Sequence, residues 1–405
     1  MDLQLAAQLQ QPSDAKILLL VADGLGGLPH AADGRSELET ARTPQLDALA
    51  AQSALGLSLP VGYGITPGSG PGHLALFGYD PFEYQVGRGA LEAVGIDFEL
   101  GPNDVAARGN LCTLDADGRI NDRRAGRIAT EQAAAVIERL RGIDIGTAAG
   151  AGVQLFVEPV REHRFVLVLR GEGLSDAVSA TDPQRTGVAP LRCEALDAPA
   201  ERTAAAVNAF VAQAAPLLAS CAPANGLVLR GFAATPSLPQ MADVWGLRPA
   251  CCALYPMYRG LAKLAGMTAL PAGSSFADQI AALRERWDAY DFFFLHYKFT
   301  DSAGEDGDFA AKVKRLEELD AEIPSLLELQ ADVFMISGDH STPATMAAHS
   351  WHPSPFLLHS PWARYQPEAK FDETSCARGS LGTFPAKEAL PLAMAHAGRL
   401  AKYGA

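Results

Sequence analysis

An apolar run long enough to cross a membrane is missing from this sequence. The apolar stretch near its start, Lys16 to Ala22, is far shorter than the roughly 20 residues that a transmembrane helix requires. The N-terminus also lacks the basic flank and following apolar segment of a secretory signal. These absences predict a cytoplasmic protein with no membrane partner.

Paired cysteines and an excess of positive charge are missing too. The six cysteines form no C-x-x-C pair, and the adjacent Cys251 and Cys252 are poorly placed for a simple bridge, which favours buried, reduced thiols. The formal net charge of -14 argues against non-specific binding to nucleic acid. A small phosphorylated substrate stays compatible, because arginines in one cleft can outweigh a distant negative surface.

Low-complexity segments and internal repeats are absent, and the 48% hydrophobic and 20% charged residues are typical of a globular enzyme. A chain of 405 residues is too long for one small core, so two domains are expected. Three apolar runs are typical of strands buried on both faces, and each stops at candidate ligands. They are Ile17–Ala22 before Asp23, Asp291–Leu295 before the loop His296 to Asp301, and Asp332–Ser337 before Gly338 to His340.

Helices are predicted between these strands. Thr43 and Pro44 supply a cap and a first helical position, and a longer helix is expected from Phe309 to about Leu329. Pro324 is expected to kink or divide that longer helix. Its buried face is predicted to carry Val313, Leu316, Leu319 and Ile323.

The middle of the chain differs in character. Two segments resemble hairpins: Leu111–Leu114 followed by Asp115–Arg119, and Arg164–Arg170 followed by Gly171–Gly173. We therefore predict an α/β fold with a discontinuous core, residues 1–100 and 230–405, interrupted by an inserted α+β cap domain of residues 101–229. The arginines of the run Asp122–Arg127 are better explained by an anionic substrate than by a solvated charge run.

Carboxylates and imidazoles at the strand ends predict a metal centre. Hard divalent ions prefer carboxylates, and imidazole shifts the preference toward manganese, zinc or iron. Two ions about 3.5–4 Å apart can polarise a phosphoryl oxygen and hold the attacking oxygen. One ion is assigned the ligands Asp23, Ser69, Asp339 and His340. The other is assigned Asp301, Glu305 and His349, with His352 as a competitor of His349.

The nucleophile is predicted to be Ser69, on a glycine-rich turn just ahead of a short helix from His73 to Phe77. A metal lowers the pKa of a serine hydroxyl and aims it, and free N–H groups at the start of a helix favour a phosphoryl group. Ser69 could otherwise be only a turn residue. His73 is equally well explained as a structural residue or as a catalytic one.

Taken together, these motifs resemble those of the archaeal-type, 2,3-bisphosphoglycerate-independent phosphoglycerate mutases of the alkaline phosphatase superfamily. The similarity spans almost the whole chain. Its landmarks are Val21–Gly24, Ala41–Pro44, Pro67–Ser69, Phe77–Pro81, Gly87–Gly89 with Glu92, Asp122–Gly126, Thr300–Asp301, Gly338–Pro343 and His349–Ser350.

The resemblance implies an alkaline-phosphatase-like core that isomerises 3-phosphoglycerate and 2-phosphoglycerate in glycolysis and gluconeogenesis. Ser69 would accept the phosphoryl group as phosphoserine, and glycerate would reorient and take it back on its other hydroxyl. Two divalent ions are implied, with manganese favoured and magnesium or zinc as alternatives. Substrate-binding candidates in the cap are Arg123, Arg124, Arg127, His163 and Arg164, and Arg88, Arg230 and Arg259 are expected to reach the cleft from the core.

The chain departs from the expected pattern at three places. Glu305 stands where a metal-binding histidine is expected, Gly70 follows the serine where an aspartate is expected, and Arg259 stands where a lysine is usual. Two other functions stay open on the sequence. One is a related phosphotransferase or phosphatase acting on another small alcohol such as homoserine. The other is a catalytically inactive protein that senses a phosphorylated metabolite.

Overall fold

The structure, a computed structural model, describes residues 1–32, 34–146, 150 and 152–404. Its contacts divide the chain into two compact units. The core unit comprises Met1–Gln85 and Leu238–Ala405, and the inserted unit comprises Val86–Ser237.

Both units contain strands and helices. The strands are β1 (Ile17–Ala22), β2 (Ala54–Leu59), β3 (Asp104–Leu114), β4 (Ile120–Asp122), β5 (Gln154–Arg161), β6 (Arg164–Arg170), β7 (Gly226–Ala234), β8 (Pro249–Cys252), β9 (Thr268–Ala269), β10 (Phe292–Tyr297), β11 (Val333–Ser337), β12 (Ser354–His359) and β13 (Gly382–Pro385). The α-helices of the described ranges are α1 (Leu3–Leu9), α2 (Glu37–Thr40), α3 (Pro44–Ala50), α4 (Ser69–Leu76), α5 (Arg88–Gly95), α6 (Thr130–Glu138), α7 (Glu201–Leu218), α8 (Met241–Trp245), α9 (Pro256–Leu264), α10 (Phe276–Glu285), α11 (Phe299–Glu305), α12 (Phe309–Leu327), α13 (Glu373–Ala377) and α14 (Ala389–His396). None of these helices combines the length and the apolarity that crossing a membrane demands.

The core unit is built on an eight-stranded sheet in the order β13-β2-β12-β11-β1-β10-β8-β9. Strand β1 lies between β11 and β10 and runs parallel to both. Val21 pairs with His296 on one side and with Ser337 on the other, so the three strands end at the same edge. All six residues of β1 are buried, which explains why its sequence is apolar without alternation. The three predicted strands are confirmed: β1 has the predicted ends, and the ends of β10 and β11 differ from the predicted ones by at most two residues.

Helix α12 packs against this sheet through Leu316, Leu319 and Ile323, as the sequence predicts. It continues through Pro324 as one helix, so the predicted division there is wrong. Val313 is only half-buried, whereas the neighbouring Lys312 is fully buried on the core-facing side. The buried face of the helix therefore carries the charged residue Lys312, where the apolar pattern predicted Val313.

The inserted unit contains an antiparallel sheet in which β3 pairs with β4, β6 and β7, and β6 also pairs with β5. The predicted hairpin around Asp115–Arg119 joins β3 to β4. The turn predicted for the second hairpin, at Gly171–Gly173, is wrong. Strand β6 instead forms a hairpin with the preceding strand β5, and Glu162–His163 form the turn between them. The mixed α/β architecture is confirmed.

The boundaries of the inserted unit lie outside the predicted ones. Residues 86–100 and 230–237, which the sequence analysis assigned to the core, pack within the inserted unit. Helix α5 lies on β3, where a Cβ on Gly89 would be 2.2 Å from the Ala106 carbonyl oxygen, and β7 completes the sheet beside β3. Arg88 and Arg230 therefore belong to the inserted unit and not, as expected, to the core.

The close approach of α5 to β3 yields a stability prediction. Replacing Gly89 with alanine should lower the free energy of unfolding by about 1–3 kcal/mol, because the added methyl group meets backbone that cannot move aside. Gly142→Ala is the matched control, since a Cβ there meets no atom within 4 Å. Denaturant unfolding of both variants checks the prediction, and equal stability of the two would contradict it.

Candidate metal centre

The first ligand group consists of Asp23, Asp339 and His340, whose ligand atoms lie within 4.8 Å of one another. All three residues are fully buried at the edge where β1 and β11 end. His340 Nε2 lies 3.2 Å from Asp23 Oδ1 and 3.3 Å from Asp339 Oδ2. The Ser69 hydroxyl joins the group, with its Oγ 3.3 Å from His340 Nε2. The structure thus brings together the four ligands that the sequence assigned to one ion.

The second ligand group consists of Asp301, His340 and His349, again with ligand atoms within 4.8 Å of one another. His349 Nε2 lies 3.6 Å and His340 Nε2 lies 4.0 Å from Asp301 Oδ1, and the two imidazole rings stack at 3.7 Å. The Pro67 carbonyl lies 2.9 Å from His349 Nδ1, so Nε2 faces Asp301. His340 was assigned to one ion only, and the structure places it in both groups.

Glu305 lies at the rim of the second ligand group. It follows Asp301 by one turn of α11, as its spacing predicts, and its Oε1 is 3.7 Å from His349 Nε2. Its side chain is 52% exposed, and it is not a member of the compact group. His352 is not a member either; its ring stacks on Trp351, and its Nδ1 lies 3.1 Å from Ser350 Oγ.

Helix α4 brings Ser69 to the first ligand group. Ser69 is the first residue of this helix and not, as expected, just ahead of it, and Gly68 is the cap. A Cβ on Gly72 would lie 2.0 Å from the Asp339 carbonyl oxygen, so only glycine lets α4 approach the end of β11 this closely. His73, which is fully buried, has its Nδ1 2.8 Å from the Ser69 carbonyl and 3.1 Å from Asp339 Oδ2. His73 therefore holds the Ser69 backbone and the Asp339 carboxylate in place.

Cationic and polar side chains surround Asp23. Lys298 Nζ lies 3.0 Å from Asp23 Oδ2 and also contacts Asp301, His296 Nε2 lies 3.3 Å from Asp23 Oδ2, and the Tyr258 hydroxyl donates to the same oxygen. Burial alone would raise the pKa of Asp23, but Lys298 and the histidines hold it well below its usual range. Lys298 lies within the loop His296 to Asp301 but was not among the predicted site residues. Nothing in the sequence marked Tyr258.

The charge on His340 follows from its neighbours. Burial favours the neutral imidazole, but Asp339, Asp23 and Asp301 outweigh it and raise the pKa of His340 to about 9. Within the described part of the chain, the buried oxygens Asp23 Oδ1 and Asp339 Oδ2 accept no hydrogen bond of good geometry. Buried carboxylate oxygens of this kind, beside imidazole nitrogens, fit a divalent cation. The donor set therefore suits the predicted metals.

A second cluster of functional side chains lies within the inserted unit. The buried Asp182 receives Arg123 Nη2 at 2.9 Å and lies 3.8 Å from Arg230 Nε. Arg108, which the sequence analysis did not select, is buried 3.6 Å from Glu92 Oε1. Burial and the nearby Arg88, Arg164 and Arg230 lower the pKa of Arg108 to about 9.

The same positive charge acts on His163. Burial, with Arg164, Arg108 and Arg124, lowers the pKa of His163 to about 3, so this residue is neutral. Arg124 and Arg127 are themselves exposed. Arg259 lies in the core unit, half-buried on α9. The predicted substrate-binding residues thus lie in two units, with the densest cluster around Asp182 and Arg108.

Comparisons with known proteins bear on this arrangement. Residues 50–224 match the family model described as 2,3-bisphosphoglycerate-independent phosphoglycerate mutase. The chain is 51% identical over 401 residues to a protein of Thermus thermophilus named as a probable mutase of that kind, with 98% of each chain covered. A protein of Deinococcus radiodurans with the same name is 50% identical over 403 residues, again with 98% of each covered.

Two solved structures match over almost their whole length. The PH0037 protein from Pyrococcus horikoshii has a TM-score of 0.81 at 27% identity, covering 96% of this chain and 99% of that one. A cofactor-independent phosphoglycerate mutase from Thermoplasma acidophilum has a TM-score of 0.68 at 28% identity, covering 95% and 100%. These likenesses confirm the predicted fold class.

The charge on His340 yields a prediction for metal binding. Because a metal binds neutral imidazole, binding must displace the proton that His340 holds below a pKa of about 9. The apparent manganese affinity should therefore rise about tenfold per pH unit up to that pKa and then level off. Calorimetric titrations across this range measure both the affinity and the proton release. His352→Gln should leave the slope unchanged, and an affinity independent of pH in the wild type would contradict the prediction.

Proposed function

Because the chain belongs to the 2,3-bisphosphoglycerate-independent phosphoglycerate mutases, we propose that it interconverts 3-phosphoglycerate and 2-phosphoglycerate through a phosphoserine at Ser69. The observation that carries this proposal is the placement of Ser69 Oγ 3.3 Å from His340 Nε2, beside two buried carboxylates. The comparisons do not favour the alternative, a phosphotransferase or phosphatase for another alcohol such as homoserine.

The proposed metals are two divalent ions, with manganese favoured. Asp23, Ser69, Asp339 and His340 would hold one, and Asp301, His349 and the shared His340 would hold the other, with Glu305 at its rim. Bound ions would lower the pKa of the Ser69 hydroxyl and offset the charge of the phosphoryl oxygens. The uncapped Ser69 and Gly70 N–H groups at the start of α4 favour the same anionic group.

The proposed reaction consists of two displacements at phosphorus that both involve Ser69. The Ser69 oxygen bonds to phosphorus as the bond from phosphorus to the substrate oxygen breaks, so the serine loses its proton and the released glycerate hydroxyl gains one. Glycerate then presents its other hydroxyl, and the reverse displacement frees Ser69. Retention of glycerate distinguishes a mutase from a phosphatase.

Arginines of the inserted unit are proposed to bind the carboxylate of the substrate. Arg123 and Arg230 contact Asp182, and Arg108 lies near Glu92. These three arginines outnumber the two carboxylates, and Arg88 and Arg164 add further positive charge nearby. Guanidinium groups suit a carboxylate because they bind it in a planar, two-pronged geometry. The proposed roles of Arg124, Arg127, His163 and Arg259 rest on the sequence alone, as do the glycolytic role and the cytoplasmic location.

The nucleophile is tested by Ser69→Ala. This variant should lose at least about 10³-fold in mutase rate, because the acceptor oxygen is gone, while its fold and substrate affinity stay near those of the wild type. The measurement is an enolase-coupled rate from 3-phosphoglycerate without 2,3-bisphosphoglycerate, with mass spectrometry of the quenched enzyme for phosphoserine. Ser302→Ala, an exposed serine on α11, is the control. A Ser69→Ala variant that keeps most of its rate would overturn the covalent mechanism.

The choice of metal is tested at Glu305. Chelation should abolish activity, and manganese should restore it best, because an anionic oxygen at the rim favours a harder ion. Glu305→His should raise the ratio of zinc affinity to manganese affinity about tenfold, since imidazole is a softer ligand than carboxylate. Competitive titrations with both metals measure the shift, and Asp306→Asn is the control. Restoration of the wild type by zinc alone would refute this reading of Glu305.

A further inference from the structure

Lys312 is a fully buried lysine that binds backbone rather than a carboxylate. Its Nζ lies 2.9 Å from the Gly24 carbonyl oxygen, 2.9 Å from that of Gly26 and 2.8 Å from that of Thr342. An ammonium group has three N–H donors, and these three carbonyls engage all of them. Lys312 therefore joins two loops, residues 23–27 after β1 and residues 339–344 after β11, which we call the ligand loops.

Two glutamates, the fully buried Glu37 and the half-buried Glu373, contact the same ligand loops from other helices. Glu37 on α2 accepts a hydrogen bond from the Ala344 N–H at 2.6 Å. Glu373 on α13 accepts one from the Gly27 N–H at 2.8 Å. Buried backbone groups of loops have no ladder to pair with, so their partners fix where the loops lie. Three charged side chains provide such partners here, beside the direct contacts in which the Thr342 N–H lies 3.3 Å from the Gly24 carbonyl oxygen and 3.1 Å from that of Gly26.

Thr342 connects the ligand loops to both ligand groups. Its hydroxyl donates to Asp301 Oδ1 at 2.8 Å and lies 2.9 Å from His340 Nδ1. Because the hydroxyl has one proton, the second contact requires it to accept from Nδ1–H, which directs His340 Nε2 toward the ligand groups. The space around Thr342 is closed, since a Cβ on Gly24 would lie 2.5 Å from its Oγ1 and one on Gly304 would lie 2.2 Å from its carbonyl oxygen.

We infer that Lys312 and Thr342 are positioning residues that set the geometry of both ligand groups together. Lys312 fixes the spacing of the ligand loops together with the Thr342 N–H, which donates to the same Gly24 and Gly26 carbonyls, and the Thr342 hydroxyl fixes the orientation of His340 and Asp301. Neither residue reaches the reacting atoms. The inference rests on the proposed metal-dependent function and extends it to two residues outside the predicted ligand set.

The decisive experiment compares Thr342→Val with Thr342→Ser. Valine keeps the shape and removes the hydroxyl, so manganese affinity should fall about 10–100-fold at both sites, with little change in melting temperature. Serine keeps the hydroxyl and should bind manganese nearly as the wild type does. Isothermal titration of the metal-free proteins measures affinity, and calorimetric melting measures stability. Wild-type affinity in Thr342→Val would overturn the inference.

Lys312→Met provides the second arm, with Lys314→Met on the exposed side of the same helix as its control. We expect weaker manganese binding at both sites for Lys312→Met and no change for Lys314→Met. A Lys312→Met protein that melts earlier but binds manganese as the wild type does would show a purely structural role and refute the inference. If that variant does not fold, the two threonine variants decide alone. A wild type that binds none of manganese, magnesium and zinc would instead refute the proposed metal-dependent function.

Discussion

Mutual repulsion among buried carboxylates is the constraint on which this structure depends. The parallel pairing of β10, β1 and β11 delivers Asp301, Asp23 and Asp339 to one edge of the sheet, where all three are buried. Charges of one sign in such a place are costly unless cations and donors compensate them. Lys298 lies between Asp23 and Asp301, and His340 lies between all three. The same requirement explains why divalent ions would bind there.

Close packing lets these charges meet. Gly72 permits α4 to contact the backbone at Asp339, and Gly24 and Gly304 permit the chain to close around Thr342. A side chain at any of these three positions would push apart the elements that carry the ligands. The glycines are therefore as necessary to the site as the charged groups, although they contribute no ligand atom.

The sequence predicted the residues that follow strands far better than those that face inward from helices. Apolar runs that stop at acidic residues mark Asp23, Asp301 and Asp339, because strand ends and ligands coincide in α/β folds. The burial of Lys312 was not predicted, because the apolar periodicity of a helix assigns a lysine to its exposed face. A residue such as Tyr258, whose hydroxyl reaches Asp23 from a distant helix, has no local signature at all.

The limits of the inserted unit were misplaced for a similar reason. Strand β7 reads as an ordinary apolar strand, and only its pairing with β3 assigns it to the inserted sheet. Pairing between distant segments follows from the packed structure and not from local sequence. Arg88 and Arg230 therefore belong to the inserted unit, where they lie near Arg108. The burial of Arg108 could not be predicted from the sequence.

The two ligand groups differ in how much freedom their residues have. The first is wholly buried, and Asp339, His340 and Asp23 are each fixed by protein contacts on several sides. The rim of the second opens to solvent at Glu305, whose side chain is 52% exposed and therefore less constrained by packing. A rigid group selects an ion by size and geometry, whereas an adjustable ligand selects by charge and softness. On the proposed function, the identity of residue 305 would therefore govern which metal occupies the second group, while the first group and Ser69 would govern how the phosphoryl group is transferred.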